Sequence, residues 1–277
     1  MVLGRNKDTF SQNYITSSEL VRFLISKSNI KSKDEVIEIG PGRGIITLEL
    51  GKVAKSVVAV EKDRTLNYDL SFLTSNNSKI KVFFADFLQW NLPLTPYKIF
   101  SNIPFSITAE IINKILKAPN LPDSAYFIMQ KEAALKFIGE PITNESQSSV
   151  ICKAFFETKI VCDIDRRYFA PKPQVDIVLI GFFKKNPPLV DKKKYWDYRE
   201  FIVYCFNQWK GTVAESLKHI FTFKQINILD KKLQIRTKKS SELSFSGWLD
   251  LYDVYQKYVS DDKKRIVQRF KLVKQSN

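Results

Sequence analysis

An apolar strand that runs straight into alternating glycines leaves a chain few ways to fold. Glu38-Ile39-Gly40-Pro41-Gly42-Arg43-Gly44 is such a segment. Residues 35–39 read as the strand, and residues 45–54 continue from the glycine turn as a helix. The glycines let backbone approach a ligand and let the helix start tight against the strand. That is the opening of a βαβ unit, which calls for parallel strands and right-handed crossovers.

The downstream pattern agrees. Short apolar runs at 56–60, 81–84, 97–100 and 126–129 alternate with helical spacing at 65–74, 107–116 and 131–138. Residues 148–156 and 175–183, flanking Pro171-Lys172-Pro173, read as late strands of the same sheet. Thr16 and Glu19 have capping-box spacing ahead of a helix over about 17–28. The expected fold class is α/β, a Rossmann-like domain whose mostly parallel sheet carries helices on both faces.

After Lys184-Lys185-Asn186-Pro187-Pro188 the strand signals stop. Phe201, Ile202, Cys205, Phe206 and Trp209 recur at helical spacing, as do Trp248, Leu249, Leu251, Tyr252 and Tyr255. The expected organisation is therefore a catalytic domain over 1–186 and a smaller all-α domain over 187–277. Tyr195, Trp196, Trp209 and Trp248 are its expected core anchors.

Charge is uneven along the chain. Lys and Arg number 44 against 29 Asp and Glu, a net charge of +15. Residues 181–277 hold 21 basic and 10 acidic residues, leaving 23 and 19 for residues 1–180. A basic tail third suggests a polyanionic partner such as RNA. Lys184-Lys185, Lys192-Lys193-Lys194, Lys231-Lys232, Arg236 with Lys238-Lys239, and Lys263-Lys264-Arg265 are candidate phosphate contacts, although each run also reads as a solvated face.

Cys152, Cys162 and Cys205 fit neither a disulfide framework nor a metal spacing, so reduced thiols, no metal and a cytoplasmic setting are expected. No run reaches the roughly 18 apolar residues of a membrane span. His219, the only histidine, is expected at the surface, which sets aside a histidine-based mechanism.

Three acids punctuate the sheet. Glu38 precedes the glycine turn, Glu61 ends the second strand and Asp86 follows the third. Carboxyl ends of parallel strands are where open α/β sheets bind ligands. There Glu61 would accept from the two ribose hydroxyls of a nucleotide-like cofactor, and Asp86 from its adenine amine. After the fourth strand come Asn102-Ile103-Pro104-Phe105. An adenine N6 lone pair is conjugated into its ring, so the amine is a poor nucleophile. Acceptors on its hydrogens, from the Asn102 amide and a backbone carbonyl of the Ile103-Pro104 turn, would make it more nucleophilic and aim it. Phe105 would stack on the base. The two motifs together point to S-adenosylmethionine-dependent methylation of adenine in a nucleic acid.

Phe10-Ser11-Gln12-Asn13-Tyr14-Ile15, the glycine segment at 38–44, Glu61, Ala85-Asp86, Ser101-Asn102-Ile103-Pro104-Phe105 and Tyr168-Phe169-Ala170-Pro171-Lys172-Pro173-Gln174-Val175-Asp176 together resemble the ribosomal RNA adenine N6-methyltransferases. That superfamily includes the erythromycin-resistance enzymes and the small-subunit dimethyltransferases. The motifs run in order across 10–180, and Leu243-Ser244-Phe245 with Trp248, Leu249 and Leu251 resembles the helical tail of the resistance branch.

The resemblance implies cofactor contacts from Gln12, Asn13, Ile15, Gly40, Gly42, Glu61, Asp86 and Asn102. It implies target-base contacts from Asn102, Ile103, Pro104, Phe105 and, as a second stacking ring, Phe169. Phe105 stands where the family usually has Tyr, so stacking survives without the hydroxyl. F-S-Q-N and S-N-I-P lean toward the resistance branch, whereas Met129-Gln130-Lys131-Glu132 resembles the small-subunit branch. Large-subunit ribosomal RNA is therefore the favoured partner of an enzyme expected to act as a monomer. A small-subunit dimethyltransferase and a non-catalytic nucleic-acid-binding protein on the same fold are the rivals.

Overall fold

The computed structural model describes residues 13–274. Gln12, Phe10 and the basic N-terminal positions Arg5 and Lys7 lie outside the described residues. The chain folds into two compact units. One runs to Ala134 and resumes over Thr158–Lys184; the other comprises Leu135–Glu157 and the chain from Lys185. The last crossing falls within two residues of the boundary read from the sequence. The excursion over 135–157 does not, because no shift in composition marks it.

The first unit opens with β1 (Tyr14–Ile15) and α1 (Ser18–Ser26). Ser17 caps that helix instead of Thr16: its hydroxyl oxygen accepts the Leu20 N–H at 3.1 Å. Then β2 (Glu35–Ile39), α2 (Ile45–Val53), β3 (Ser56–Glu61), α3 (Asn67–Thr74), β4 (Ile80–Phe84), β5 (Lys98–Asn102), α4 (Thr108–Lys117) and β6 (Ser124–Gln130) follow in alternation. The continuous apolar run of β6 matches a strand buried on both faces, and β2 is buried from Val36 to Ile39 even though Glu38 interrupts its apolar residues. α4 buries Ile111, Ile112, Ile115 and Leu116 on one stripe and leaves Glu110 and Lys117 in solvent.

α5 (Lys131–Ile138) contains the first crossing between units, and α6 (Gln147–Lys153) corrects the reading of 148–156 as a strand. Ser146 and Ser149 form a reciprocal capping box that nucleates this helix. Its apolar Val150, Ile151 and Cys152 are buried together, which a single apolar run cannot distinguish from a strand. The strand instead begins at Phe156: β7 (Phe156–Ile164) carries Glu157, Lys159 and Asp163 and is the outermost strand of the sheet. Charges of this kind blunt an exposed edge, and they also hide the strand from an apolar scan. β8 (Phe169–Ala170) and β9 (Ile177–Lys184) complete the set.

The main sheet has the order β4-β3-β2-β5-β6-β9-β7, with β2, β3, β4, β5 and β6 parallel and β9 antiparallel to β6. This is the Rossmann-like α/β architecture expected. From β2 the chain steps to β3 on one side and later returns to β5 on the other. The carboxyl ends of β2 and β5 therefore flank the topological switch point, where open sheets form a crevice. A separate two-stranded sheet pairs β1 with β8, Tyr14 opposite Ala170 and Ile15 opposite Phe169.

The second unit is helical: α7 (Tyr195–Phe206), α8 (Val213–Leu217), α9 (Phe223–Leu233), α10 (Phe245–Tyr258) and α11 (Asp261–Lys274). Its core is aromatic. Phe155, Tyr195, Tyr198, Phe201, Trp248 and Tyr255 are fully buried, and the Phe201 and Tyr255 rings stack at 4.5 Å. Two of these polar tips find partners, the Tyr198 hydroxyl donating to the Val150 carbonyl and the Trp248 indole to that of Ser240, whereas the buried Tyr195 and Tyr255 hydroxyls make no hydrogen bond among the described residues. Tyr195 and Trp248 are anchors as expected, but Trp196 is 45% exposed and Trp209 is 99% exposed. Helical spacing carried the apolar stripe past the end of α7, and Trp209 lies beyond it.

Candidate active site at the switch point

Two loops meet at the crevice, tied together from beneath. The Ser101 hydroxyl, fully buried, donates to the Ile39 carbonyl, joining the residue before Asn102 to the residue before Gly40. The Gly40 N–H donates to the Val60 carbonyl at 2.9 Å, which fastens the same point to β3.

Gly40 and Gly42 have φ of +63° and +55°. A Cβ at Gly42 would lie 2.9 Å from the Tyr14 ring, so glycine there lets the N-terminal strand close onto the loop. A Cβ at Gly40 would meet nothing within 4 Å and would project into open space. Gly40 thus lines a cradle that a side chain would partly fill.

Glu61 shapes the loop as well as lining it. One carboxylate oxygen accepts the Gly42 N–H at 3.0 Å and the other accepts the Asp63 N–H at 2.8 Å. Asp86 accepts the Leu88 N–H at 2.9 Å and pairs with the Lys62 ammonium at 3.0 Å. The Leu88 N–H, helped by Lys62, holds its carboxyl below the ordinary value. Each carboxylate oxygen can accept more than one hydrogen bond, so both acids keep acceptor capacity for a nucleoside.

Glu38 differs from them. It is 1% exposed, receives the Thr47 hydroxyl at 2.6 Å, and burial, with repulsion from Glu61, pushes it up to about 8. It therefore keeps its proton to a higher pH than an ordinary carboxyl does, and it lines the cleft as well.

On the β5 side, Asn102 ends the strand and its Nδ2 donates to the Asn13 carbonyl at 2.9 Å. That carbonyl only accepts, so the amide nitrogen must face it and the side-chain carbonyl must face the other way. In the following turn, the Pro104 carbonyl accepts from the Ile107 N–H and the Thr108 hydroxyl. Among the described residues no hydrogen bond ends on the Ile103 carbonyl. Of the two backbone acceptors the sequence offered, Ile103's is the one left for a substrate.

One cleft is lined by Asn13, Tyr14, Ile15, Gly40, Gly42, Asn102, Ile103, Pro104 and Phe105. An adjoining one is lined by Tyr14, Gly40, Glu61, Asp86, Phe87, Pro104 and Ile107. Tyr14, Gly40 and Pro104 belong to both, so the two form a continuous site. Phe169 is not brought there. It is 4% exposed, in the same buried cluster as Ile15, the residue that faces it across β1 and β8. In this conformation it is a core anchor beneath the N-terminal strand and not a stacking ring.

The sequence reading gave Tyr14 no role, although it lies inside the quoted N-terminal motif. Its ring forms the common wall of both clefts and carries the Arg43 guanidinium at 5.4 Å. Among the described residues no group of His, Cys, Asp and Glu could hold a metal ion, and no helix is long and apolar enough to cross a membrane.

Comparison with known proteins now decides the family. The profile of the ribosomal RNA adenine dimethylases matches residues 4–257. The chain belongs to this family. It is an S-adenosylmethionine-dependent rRNA adenine methyltransferase.

Its relatives include an rRNA adenine N-6-methyltransferase of Bacillus licheniformis, 28% identical over 94% of this chain and 91% of that one. A ribosomal RNA small subunit methyltransferase A of Mycoplasmopsis pulmonis is 31% identical over 80% and 87%. Among solved structures, the 23S rRNA methyltransferase ErmE superposes with a TM-score of 0.76 at 26% identity, over 88% of this chain and all of that one. Both branches of the family are thus represented.

The donor set fits the cofactor. Glu61 and Asp86 provide the acceptors a nucleoside needs, and Gly40 leaves the cradle open. When bound, S-adenosylmethionine supplies an electrophilic methyl group.

Proposed function

We propose that the protein methylates N6 of one adenine in 23S ribosomal RNA and thereby confers resistance to macrolides, lincosamides and streptogramin B antibiotics. The observation that carries the chemistry is the hydrogen bond from the Asn102 amide nitrogen to the Asn13 carbonyl, which leaves the Asn102 side-chain oxygen free to accept, in a cleft that Ile103 also lines. The target adenine leaves its helix or loop to enter the cleft. Stacking on Phe105 would contribute about 1–3 kcal/mol. The Asn102 and Ile103 carbonyls accept the two N6 hydrogens, withdraw the lone pair from conjugation and aim it at the methyl donor. Bound S-adenosylmethionine would supply the methyl, its sulfonium–methyl bond breaking to leave the neutral thioether as the bond to N6 forms, and the methylated amine would then lose a proton to water.

Glu61 and Asp86 would hold the ribose and adenine of S-adenosylmethionine, with Gly40 and Gly42 leaving room beside them and Asn13 and Ile15 lining the adjoining wall. The basic helical unit would hold structured RNA. Within it Lys192 sits 4.4 Å from the Tyr195 ring centroid, and burial pushes its ammonium down to about 8. Lys193 and Lys194, both exposed, are the better phosphate contacts of that run.

The 23S assignment is supported by the motif forms at 10–13 and 101–104 and by the superposition with ErmE over 88% of this chain. A second reading, small-subunit adenine dimethylation during ribosome assembly, is favoured by Met129-Gln130-Lys131-Glu132 and by the small-subunit relatives. Parallel assays with naked 23S RNA and intact small subunits separate them. Label on 23S RNA, with raised macrolide tolerance in an expressing bacterium, is the expected result. Label on small subunits alone, without tolerance, would move the protein to the assembly branch.

A further inference from the structure

The loop after α7 is built to display one side chain. Its entrance is pinned by Asn207, whose Nδ2 donates to the Val203 carbonyl at 2.8 Å and to the Gln147 side chain at 2.6 Å. Its exit is pinned by Glu215, which accepts the Gly211 and Thr212 N–H groups at 2.9 and 3.1 Å. Between these anchors the Lys210 N–H donates to the Gln208 carbonyl at 2.9 Å. That i to i+2 bond is a γ-turn with its apex at Trp209.

Trp209 is 99% exposed there, whereas Trp248 of the same unit is fully buried. A tryptophan so placed forgoes all the burial its ring offers, and the pinned turn holds that ring in solvent where a planar ligand can reach it. Other exposed rings differ in setting. Tyr68 and Phe72 lie on α3 with Asp69 between them, and Phe223, 74% exposed, already has the Arg236 guanidinium 5.6 Å from its ring centroid. Trp209 is followed directly by exposed Lys210, in a chain whose residues 181–277 hold 21 basic and 10 acidic side chains. An aromatic face beside a cation, in a basic unit, matches a nucleobase with its phosphate.

We propose that Trp209 stacks on an unpaired base of the ribosomal RNA substrate, with Lys210 on the adjoining phosphate. The proposal rests on the RNA-methyltransferase reading above and adds a contact that reading did not contain. The pinned turn means the ring is ordered before binding, so little freedom is lost when a base docks.

The test is RNA affinity of the full-length protein, measured by filter binding with transcribed 23S and small-subunit RNAs, for wild type, Trp209→Ala and Trp209→Phe. Loss of one base stack weakens binding by about 5- to 100-fold in Trp209→Ala, and Trp209→Phe keeps affinity within about threefold of wild type. Thermal midpoint and S-adenosylmethionine affinity stay at wild-type values in both, because the ring touches neither core nor cleft. Wild-type RNA affinity in Trp209→Ala would overturn the proposal while leaving the methyltransferase reading intact. So would an unaltered RNA affinity together with loss of a protein partner. A wild type that binds RNA but transfers no methyl to it would overturn the methyltransferase reading, and the Trp209 comparison would still report on stacking.

Discussion

The glycine loop after β2 and the turn after α7 are both short, both pinned by a glutamate, and opposite in what they present. Glu61 accepts two N–H groups and folds the first loop inward around a cleft. Glu215 does the same for the second and pushes a tryptophan outward. In the first loop function resides in backbone geometry, so almost any added atom is harmful. In the second the proposed contact is one ring, held out by the Asn207 and Glu215 hydrogen bonds at either end of the turn.

The sharpest way to break that contrast is at the inward site. Asn102→Ala would remove the acceptor proposed for the reacting amine, and turnover should fall on the order of 100-fold or more, a size typical of misplaced reacting groups. Full turnover in that variant would remove Asn102 from the mechanism. Next comes Gly42→Ala. Its Cβ would press on the Tyr14 ring and its positive φ would be strained, at about 1–3 kcal/mol. Calorimetric titration with S-adenosylmethionine should show affinity reduced by roughly tenfold or more; an unchanged affinity would mean that the Tyr14 contact is dispensable.

A smaller effect belongs to Thr16. Its N–H and hydroxyl both donate to the Tyr168 carbonyl, at 2.9 and 3.0 Å, and this clamp continues the pairing of β1 with β8 that places the Asn13 carbonyl. Thr16→Val should lower kcat by about fivefold, the net worth of one hydrogen bond. Thr16→Ser should restore it; a Ser variant as slow as Val would assign the loss to packing instead.

Glu38 gives the smallest change and the only one read by pH. Its folded-state value, about 8, lies above its ordinary 4.5, so the folded protein keeps a proton that the unfolded chain gives up. Its contribution to stability is complete below the ordinary value and declines as pH rises toward about 8. Thr47 remains a hydrogen-bonding partner for glutamine. Glu38→Gln should therefore flatten the wild-type fall in thermal midpoint between about pH 5 and pH 8. Parallel curves for the two proteins would show that Glu38 is ionised when folded.

What could be read in advance follows the same division. The β2 turn, Glu61, Asp86 and the Asn102 turn were legible because glycine, proline and strand-ending acids dictate local geometry wherever they stand. The sheet core was legible because strands buried on both faces are apolar throughout. β7 was not, since an edge strand carries charges that break the apolar signal. Nor was α6, whose start is set by two serines and whose apolar triplet suits either period. Phe169 and Trp209 mark the deeper limit. Both are aromatic residues near element ends, and only tertiary packing sends one into the core and the other into solvent. The Asn13 to Asn102 bond joins residues 89 positions apart, a distance no local rule spans.

The most direct test transfers labelled methyl from S-adenosylmethionine to naked 23S ribosomal RNA, followed by digestion to nucleosides and mapping of the labelled position. The account predicts label in N6-methylated adenosine at a single site. Label on another base, or none on adenine N6, would contradict it.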